Sequence, residues 1–155
     1  MQDKTNAIRR LDSLKISYRE YTYSADITNG IEVATALGEN PKQVFKTLVT
    51  VAKSGAHYVY MIPVAEELDL TKAAAVVGEK AVDMLKSKEL LPLTGYIHGG
   101  CSPIGMKKFF QTTIHSTALN FSTIIFSGGK RSVQIELSLA DLSKIIPFKV
   151  ADIIK

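Results

Sequence analysis

The segment that most restricts the fold of this chain is residues 99–105, with the sequence Gly-Gly-Cys-Ser-Pro-Ile-Gly. Three glycines and one proline among seven residues cannot form an ordinary strand or helix, because glycine readily adopts positive φ and proline lacks a backbone N–H. The preceding residues 96–98 have the pattern of a strand end. The commonest meaning of such a cluster is a tight turn between two strands. The alternative is a stiff loop whose exposed backbone forms the wall of a pocket.

A second glycine-rich segment, Ser-Gly-Gly-Lys-Arg at residues 127–131, follows the apolar residues 123–126. We predict that it is also a loop, and that it joins two strands of a hairpin. Each of the two segments is accompanied by a pair of cations, which are Lys107, Lys108, Lys130 and Arg131. This repetition favours the pocket interpretation.

The composition fits one ordinary folded domain that spans residues 1–155, with 46% hydrophobic and 22% charged residues. No apolar run approaches the roughly 18 residues that a membrane helix needs, and no apolar segment follows residues 1–4. A single cysteine excludes an internal disulfide and suits the reducing cytoplasm. We therefore expect a cytoplasmic protein without a membrane span. The net charge of +4 mildly favours an anionic partner.

Periodicity predicts both kinds of secondary structure. The predicted strands are 16–23, 44–51, 58–64, 82–84, 109–114, 123–126 and 133–137. The predicted helices are 7–14, 31–37, 72–77, 87–91 and 139–146, with a short helix from Ser116. The candidate capping residues are Thr28 or Asn29, Asp69 or Thr71, Ser87 and Ser138. Hairpins without a regular βαβ rhythm indicate an α+β fold with a mixed, barrel-like β-sheet flanked by helices.

The side chains offer few catalytic groups. The three histidines have no metal-ligand neighbours at useful spacing, and one cysteine cannot build a zinc site, so we expect neither a metal nor another cofactor. Cys101 could act as a nucleophile with His98 as its base, although a lone cysteine is more often inert packing.

Lys46 is the stronger candidate. It is in phase with Val44 and Leu48 on one strand face, among β-branched and aromatic neighbours. Burial of a lysine is costly unless a partner or an anionic ligand compensates its charge. The alternative is that this strand face is solvated, or that the ammonium group extends into water.

Five segments together, in order and spacing, resemble the YbaK/EbsC family. They are residues 45–49, 68–70, 94–96 and the two glycine-rich segments, and the resemblance covers about residues 15–153. Family members are small cytosolic aminoacyl-tRNA deacylases, similar to the editing insertion domain of bacterial prolyl-tRNA synthetase. The resemblance implies a mixed β-barrel flanked by helices. It also implies an enzyme that clears Cys-tRNA(Pro), with Cys-tRNA(Cys) as a further candidate, often beside prolyl-tRNA synthetase.

The resemblance also implies functional residues. The family lysine falls on Lys46, its Gly-x-x-x-Pro loop on Gly99 and Pro103, its serine on Ser127 and its tyrosine on Tyr23. The implied catalytic residues are Lys46 and Gly99. The implied substrate-binding residues are Tyr23, Thr47, Gly100, Cys101, Ser102, Pro103, Ser127 and Gln134. The candidate tRNA-binding residues are Lys107, Lys108, Lys130 and Arg131, which could receive acceptor-stem phosphates, although a surface lysine pair is more often merely solvated.

In the mechanism, Lys46 could hold the phosphate or ribose region of the tRNA end, and the main-chain donors of residues 99–102 could stabilise negative charge on the ester oxygen. Alternatively, carbonyl groups of that loop could hold the ammonium group of the amino acid. The thiol of the cysteine substrate attacks its own ester, so no protein nucleophile is needed. Two departures concern the amino-acid pocket. Residues 24–30 are shorter than in YbaK proteins, where a phenylalanine has Asn29 as its nearest counterpart, and Gln134 replaces an aspartate. A deacylase for another small amino acid, such as alanine on tRNA(Pro), and a non-catalytic tRNA- or synthetase-binding module therefore remain alternatives.

Overall fold

The computed structural model of the chain describes residues 4–155. The first three residues belong to the terminus that was expected to carry no signal, and they lie outside the described part. The helices are α1 (Asn6–Ser13), α2 (Gly30–Leu37), α3 (Leu70–Val76), α4 (Ser87–Thr94), a 3₁₀ helix (Ser116–Asn120) and α5 (Leu139–Ser143). The strands are β1 (Arg19–Thr22), β2 (Phe45–Ala52), β3 (His57–Pro63), β4 (Val82–Met84), β5 (Thr112–His115), β6 (Ile124–Lys130), β7 (Val133–Leu137) and β8 (Lys149–Ala151).

The strands form two sheets. The smaller sheet has the order β1-β7-β6 and is antiparallel throughout. The larger sheet has the order β4-β2-β3-β5-β8, in which β2 pairs antiparallel with β3 and β4, while β5 pairs parallel with β3 and β8. A bridge between Val44 and Ile125 links the two sheets, which do not close into one barrel within residues 4–155. The α+β class is confirmed, with the mixed sheet divided into two.

The main core lies between α1 and the inner face of the smaller sheet. Ile8 and Leu11 of α1 pack with Phe126 and Ile135, which are fully or almost fully buried. A second cluster lies under α3, where the Tyr60 hydroxyl donates to the carbonyl of Ala73 at 2.7 Å. Among the helices described here, none is both long and apolar enough to span a bilayer.

Side-chain caps decide where three helices begin. Asn29, rather than Thr28, caps α2 by accepting from the N–H groups of Ile31 and Glu32. Asp69, rather than Thr71, caps α3 in the same way. Ser138 caps α5, as expected. These caps satisfy N–H groups that have no partner within the helix.

Four predicted boundaries were wrong. Lys15 has a φ of 57° and the Ile16 N–H donates to Leu11, so the chain is still closing α1 where we expected β1. Residues 96–98 are not a strand, and β5 begins at 112 rather than 109. Ser87 does not cap α4, which continues through Pro92 to Thr94. The proline is tolerated because the carbonyl that loses its donor, Lys88, belongs to an exposed residue.

The predicted hairpin of β6 and β7 is confirmed, but its loop was predicted too long, because residues 127–130 belong to β6. A bulge between Ser127 and Lys130 absorbs the two glycines, and the chain turns only at Arg131 and Ser132, where Ser132 has a φ of 83°. Helix α5 ends three residues before the expected 146, and β8 was missed because three residues carry too little periodicity.

Candidate active site

A cavity opens where β2 and β6 separate. The two strands touch in parallel at the Val44–Ile125 bridge, and two residues further along each strand, Lys46 and Ser127 line a cavity of about 330 Å³. Each of the strands is held by its own sheet, so they diverge and leave a gap between them. The lining residues are Tyr23, Thr28, Asn29, Gly30, Val33, Val44, Phe45, Lys46, Thr47, Leu48, Val64, Leu90, His98, Gly99, Cys101, Ser127 and Gln134.

Lys46 contributes a half-buried cation to this cavity. Among the residues that the structure describes, its ammonium group has no hydrogen-bond or ion-pair partner. Burial lowers the pKa of Lys46, and the negative charges of Glu67 and Glu66 partly oppose this effect. The lysine is therefore neither fully solvated nor paired, which leaves it available to an anionic ligand.

The first glycine-rich segment supplies backbone donors to the same cavity. Gly99 and Cys101 line it, and neither of their N–H groups has a hydrogen-bond partner within residues 4–155. The N–H of Gly100 donates to the carbonyl of Ile97 at 2.9 Å, so this donor already has a partner within the loop. Two free donors on adjacent turns of backbone are suited to binding an oxygen that gains negative charge.

The two glycine-rich segments hold each other in place. A Cβ atom on Gly100 would lie 2.8 Å from the Cα of Lys130, so only glycine allows the two backbones to approach this closely. Gly99 has a φ of 83°, and the Arg131 Nε–H donates to the carbonyl of His98 at 3.1 Å. Lys130 and Arg131 therefore lie beside the first glycine-rich segment.

Cys101 is almost fully buried and packs with Val49, Val59 and Phe110. Burial raises the pKa of its thiol to about 12. At neutral pH only about 1 in 10⁵ of these thiols would be ionised. His98 lines the cavity too, but no hydrogen bond joins it to the thiol in the described part of the chain. The structure therefore favours packing over nucleophilic attack for this residue.

Two hydroxyl groups in the lining are available to a ligand. The Thr47 hydroxyl is buried without a hydrogen-bond partner among the described residues. Ser127 accepts from the N–H of Gly129 at 3.1 Å, which leaves its own proton free to be donated. Tyr23 reaches the rim just after β1, where its N–H donates to Ser132 at 2.9 Å.

Three predicted substrate-binding residues do not line the cavity. Gly100, Ser102 and Pro103 are buried beneath the loop, and the Ser102 hydroxyl accepts from the N–H of Ile104 at 3.3 Å. They shape the turn, and their contact with a substrate stays a prediction.

Lys107 and Lys108 are exposed outside the lining, with the Lys107 side chain lying over Gly95. Binding of tRNA by all four cations also stays a prediction.

Sequence reasoning missed Glu39. One end of the Gln134 amide lies against this carboxylate, and because a carboxylate can only accept, we assign the amide nitrogen to that end, where it donates to Oε2 at 2.9 Å and to Oε1 at 3.0 Å. Burial and the nearby Glu136 raise the pKa of Glu39 to about 7. No local signal could have found this pair, because Glu39 follows α2 and Gln134 lies on β7. Thr28, Asn29 and Gly30 also line the cavity, in agreement with the expectation that residues 24–30 lie near the amino-acid pocket.

The possible metal ligands do not cluster. Within residues 4–155, no group of three or more His, Cys, Asp or Glu side chains could hold a metal ion. The polar chemistry of the cavity thus comes from Lys46, hydroxyl groups, an amide and backbone N–H groups.

A family model for aminoacyl-tRNA editing domains matches residues 26–145 of this chain. The chain belongs to the aminoacyl-tRNA editing domain family. It is also 48% identical over 139 residues to EbsC of Enterococcus faecalis, covering 88% of this chain and 85% of that protein. EbsC carries a provisional assignment as a Cys-tRNA(Pro)/Cys-tRNA(Cys) deacylase. The family resemblance seen in the sequence is confirmed.

Solved structures share the fold. A protein described provisionally as a trans-editing enzyme for prolyl-tRNA synthetase superposes with a TM-score of 0.86 over 99% of each chain, at 23% identity. A hypothetical protein gives a TM-score of 0.88 over 97% of this chain and 99% of its own, at 21% identity. These likenesses support the architecture of the two sheets and their helices.

Proposed function

We propose that this editing-domain protein is a trans-acting deacylase that cleaves the ester of cysteine mischarged onto tRNA(Pro). The observation that carries the proposal is the arrangement of Lys46, a half-buried cation without a partner, in one cavity with the free N–H groups of Gly99 and Cys101. The provisional assignment of EbsC supports the choice of cysteine, and it adds Cys-tRNA(Cys) as a second substrate to test.

Binding begins with the charge of the tRNA end. Lys46 attracts the terminal phosphate or the ribose region, which places the ester in the gap between β2 and β6. The Thr47 hydroxyl, buried and without a partner in the described residues, then gains a hydrogen bond to the ligand. Ser127 donates from the opposite strand. The site recognises the shared terminus of tRNA by these contacts.

The reaction needs no protein nucleophile. The thiol sulfur of the substrate forms a bond with the ester carbonyl carbon, the bond from that carbon to the ribose oxygen breaks, and the thiol proton passes to the ribose oxygen. The products are a four-membered thiolactone and free tRNA. The N–H groups of Gly99 and Cys101 stabilise the oxyanion of the tetrahedral intermediate, and proximity within one molecule supplies much of the rate.

Cations on the surface around the cavity bind the tRNA in this proposal. Lys107, Lys108, Lys130 and Arg131 contact acceptor-stem phosphates in this proposal, while prolyl-tRNA synthetase supplies the mischarged tRNA in the cytoplasm. The whole chain, 1–155, works as a single editing domain. Lys107, Lys108 and Arg131 are exposed, and exposed cations contribute little to stability, so replacement of these three should weaken tRNA binding without unfolding the protein.

Deacylation of Cys-tRNA(Pro) by purified variants tests the proposal. We expect Lys46→Ala to reduce the initial rate at least about 100-fold, because the site loses its only cavity-facing cation among the described residues. Lys42→Ala is the matched control, since it removes an exposed lysine four residues away, and its rate should equal that of the wild type. Full activity in folded Lys46→Ala would refute the Lys46 assignment.

A panel of aminoacyl-tRNAs separates the alternatives. Cysteine esters should be cleared faster than serine or alanine esters, because only cysteine carries the attacking thiol. Faster clearance of Ala-tRNA(Pro) would instead identify a deacylase for another small amino acid. Tight binding of every tRNA without turnover would identify a non-catalytic module.

A further inference from the structure

The orientation of one buried amide decides what the cavity can recognise. Gln134 lies at the centre of the smaller sheet, opposite Tyr21 of β1 and Ser127 of β6. Its side chain is buried and lines the cavity. An amide accepts at its oxygen and donates at its nitrogen, so the end that faces a ligand determines which ligand groups it binds.

Glu39 fixes that orientation. The Gln134 nitrogen donates to both carboxylate oxygens, at 2.9 and 3.0 Å. An ionised carboxylate only accepts hydrogen bonds, so a reversed amide would set oxygen against oxygen. The carbonyl oxygen of Gln134 is therefore held on the side of the amide that faces away from Glu39.

The position of Glu39 is electrostatically unfavourable. Gly38 ends α2 in the left-handed conformation, and the Glu39 N–H donates to the Ala34 carbonyl at 2.8 Å, which brings the side chain into a half-buried site. The carboxylate lies near the negative end of the helix dipole and near Glu136 of β7. An acid that disfavours the folded state and still contacts a cavity residue is a candidate for function.

The cavity is polarised between Lys46 and the Glu39–Gln134 pair. Lys46, in β2, places a cation in the wall of the larger sheet, whereas Gln134 and the carboxylate behind it belong to the wall of the smaller sheet. An aminoacyl ester has a matching polarity, because its ammonium group is cationic and the phosphates beyond its ribose are anionic. The two walls therefore suit the two ends of one ligand.

We propose that Glu39 is a positioning residue, which holds the Gln134 amide with its carbonyl oxygen toward the α-ammonium group of the bound aminoacyl ester. The assignment rests on the proposed function, because that function supplies the ester. The ammonium group donates to the Gln134 oxygen, and the negative charge of Glu39 behind the amide strengthens the contact. An acyl group without the ammonium gains nothing from this pair.

Two stable amides of the terminal nucleoside test the assignment directly. One is 3′-amino-3′-deoxyadenosine acylated with cysteine, and the other carries 3-mercaptopropionate, which lacks the α-amino group. By calorimetry at pH 8, we expect the wild type to bind the first about tenfold more tightly than the second. The ratio should fall below about twofold in Glu39→Gln, because the orienting charge is gone. Glu32→Gln, at the exposed opposite end of α2, should keep the wild-type ratio.

A swapped pair separates charge from simple loss of structure. The double variant Glu39→Gln/Gln134→Glu again places one amide beside one carboxylate, with the carboxylate now in the cavity lining. Its preference for the amino-bearing analogue should return to at least the wild-type ratio. An equal ratio in wild type and Glu39→Gln, or a folded swap variant without the preference, would overturn the assignment.

Thermal unfolding gives a readout that a structural role would not produce. The pKa of Glu39 rises from 4.5 to about 7 on folding, so between these values the folded state holds more protons and stability falls as pH rises. Above pH 7 the penalty is complete, and Glu39→Gln should then melt about 2–4 °C above the wild type. At pH 4 the two should melt together. A lower melting temperature for Glu39→Gln at pH 8 would show a structural residue and overturn the assignment.

The proposed function and this assignment can fail separately, because analogue binding needs no turnover. A wild type that distinguishes the two analogues but deacylates no tRNA would refute deacylation and leave Glu39 as the residue that orients the amide. Normal deacylation with an unchanged analogue ratio in Glu39→Gln would refute only the assignment.

Discussion

The two glycine-rich segments look alike in sequence and differ in structure. Residues 99–101 are a loop in which Gly99 and Cys101 line the cavity and have no N–H partner among the described residues, whereas residues 127–130 are a bulged part of β6 that pairs with β7. The first segment has no strand partner of its own in the described structure and rests on the turn that follows the second. The regular strand therefore supports the irregular loop. A pair of glycines in the sequence does not by itself show whether a segment forms a strand or a loop.

The glycines are also required for different reasons. A Cβ on Gly100 would meet only backbone, namely the Cα and carbonyl carbon of Lys130 and the nitrogen of Arg131, at 2.8–2.9 Å. A Cβ on Gly128 would meet chiefly a methyl group of Val133, at 2.7 Å. A second mutation can shorten a side chain but cannot shorten the backbone. Replacement of glycine by alanine should therefore have different effects on stability at the two positions.

Gly100→Ala should have the largest effect on stability. We expect a loss of about 3 kcal/mol, because the new methyl group forces the loop away from the turn at residues 130–131. The free N–H groups of Gly99 and Cys101 then move, and deacylation should fall at least about tenfold at a temperature where the variant stays folded. Chemical denaturation and initial rates measure the two effects.

Gly55→Ala is the matched control for this substitution. Gly55 has a φ of 90°, and no atom lies within 4 Å of the place that an added methyl group would take, so alanine there incurs backbone strain alone, about 1 kcal/mol. Its activity should be unchanged. If Gly100→Ala were no more destabilising than Gly55→Ala, the close backbone contact would not be what holds the loop.

Gly128→Ala should be less harmful, at about 1–2 kcal/mol, because Val133 can shift or be shortened. The double variant Gly128→Ala/Val133→Ala should recover part of this loss, measured by the same denaturation experiment. The corresponding test at Gly100 has no side chain to shorten. Failure of the double variant to recover any stability would mean that the bulge, and not the valine contact, determines the cost.

The sequence predicted the members of the site better than their arrangement. Lys46 could be placed on one strand face with Val44 and Leu48, because the alternation of side chains along a strand depends only on neighbouring residues. Asn29 and Asp69 were found as helix caps for the same reason, because capping depends on a few neighbouring residues.

What the sequence did not predict depends on contacts between distant segments. The Glu39–Gln134 pair joins the end of a helix to a central strand, and the loop at residues 99–101 is held by its contact with the turn near residue 131. The second glycine-rich segment was assigned to a loop because glycine is rare in strands, although β7 and the bulge accommodate it.

Arg131 tests the link between the two segments. Arg131→Lys keeps the positive charge but cannot reproduce the Nε–H donor that reaches the His98 carbonyl. We expect a loss of about five- to tenfold in deacylation rate for both Arg131→Lys and Arg131→Ala, with stability changed by less than about 1 kcal/mol.

Salt dependence separates the two roles of this residue. If Arg131 served only to attract tRNA phosphates, Arg131→Lys would retain wild-type activity, and Arg131→Ala would lose less at high salt, where electrostatic contributions are weak. The contact that fixes the loop predicts a loss that both variants share at every salt concentration, and the proposed phosphate contact adds a further loss in Arg131→Ala that disappears at high salt.

Replacement of Cys101 should have the smallest effect on activity. It tests whether the loop acts through the side chain of this residue or through its backbone. Cys101→Ala removes one buried sulfur, which should cost about 1 kcal/mol in stability, yet leave the deacylation rate within about twofold of the wild type. Alanine keeps the backbone N–H of residue 101.

Alkylation tests the burial of the thiol. Burial raises the pKa of the thiol to about 12, so native protein at pH 7.5 should resist iodoacetamide, whereas unfolded protein should react readily. A folded Cys101→Ala variant without activity would instead assign the chemistry to the protein thiol, and the loop would then act through its side chain.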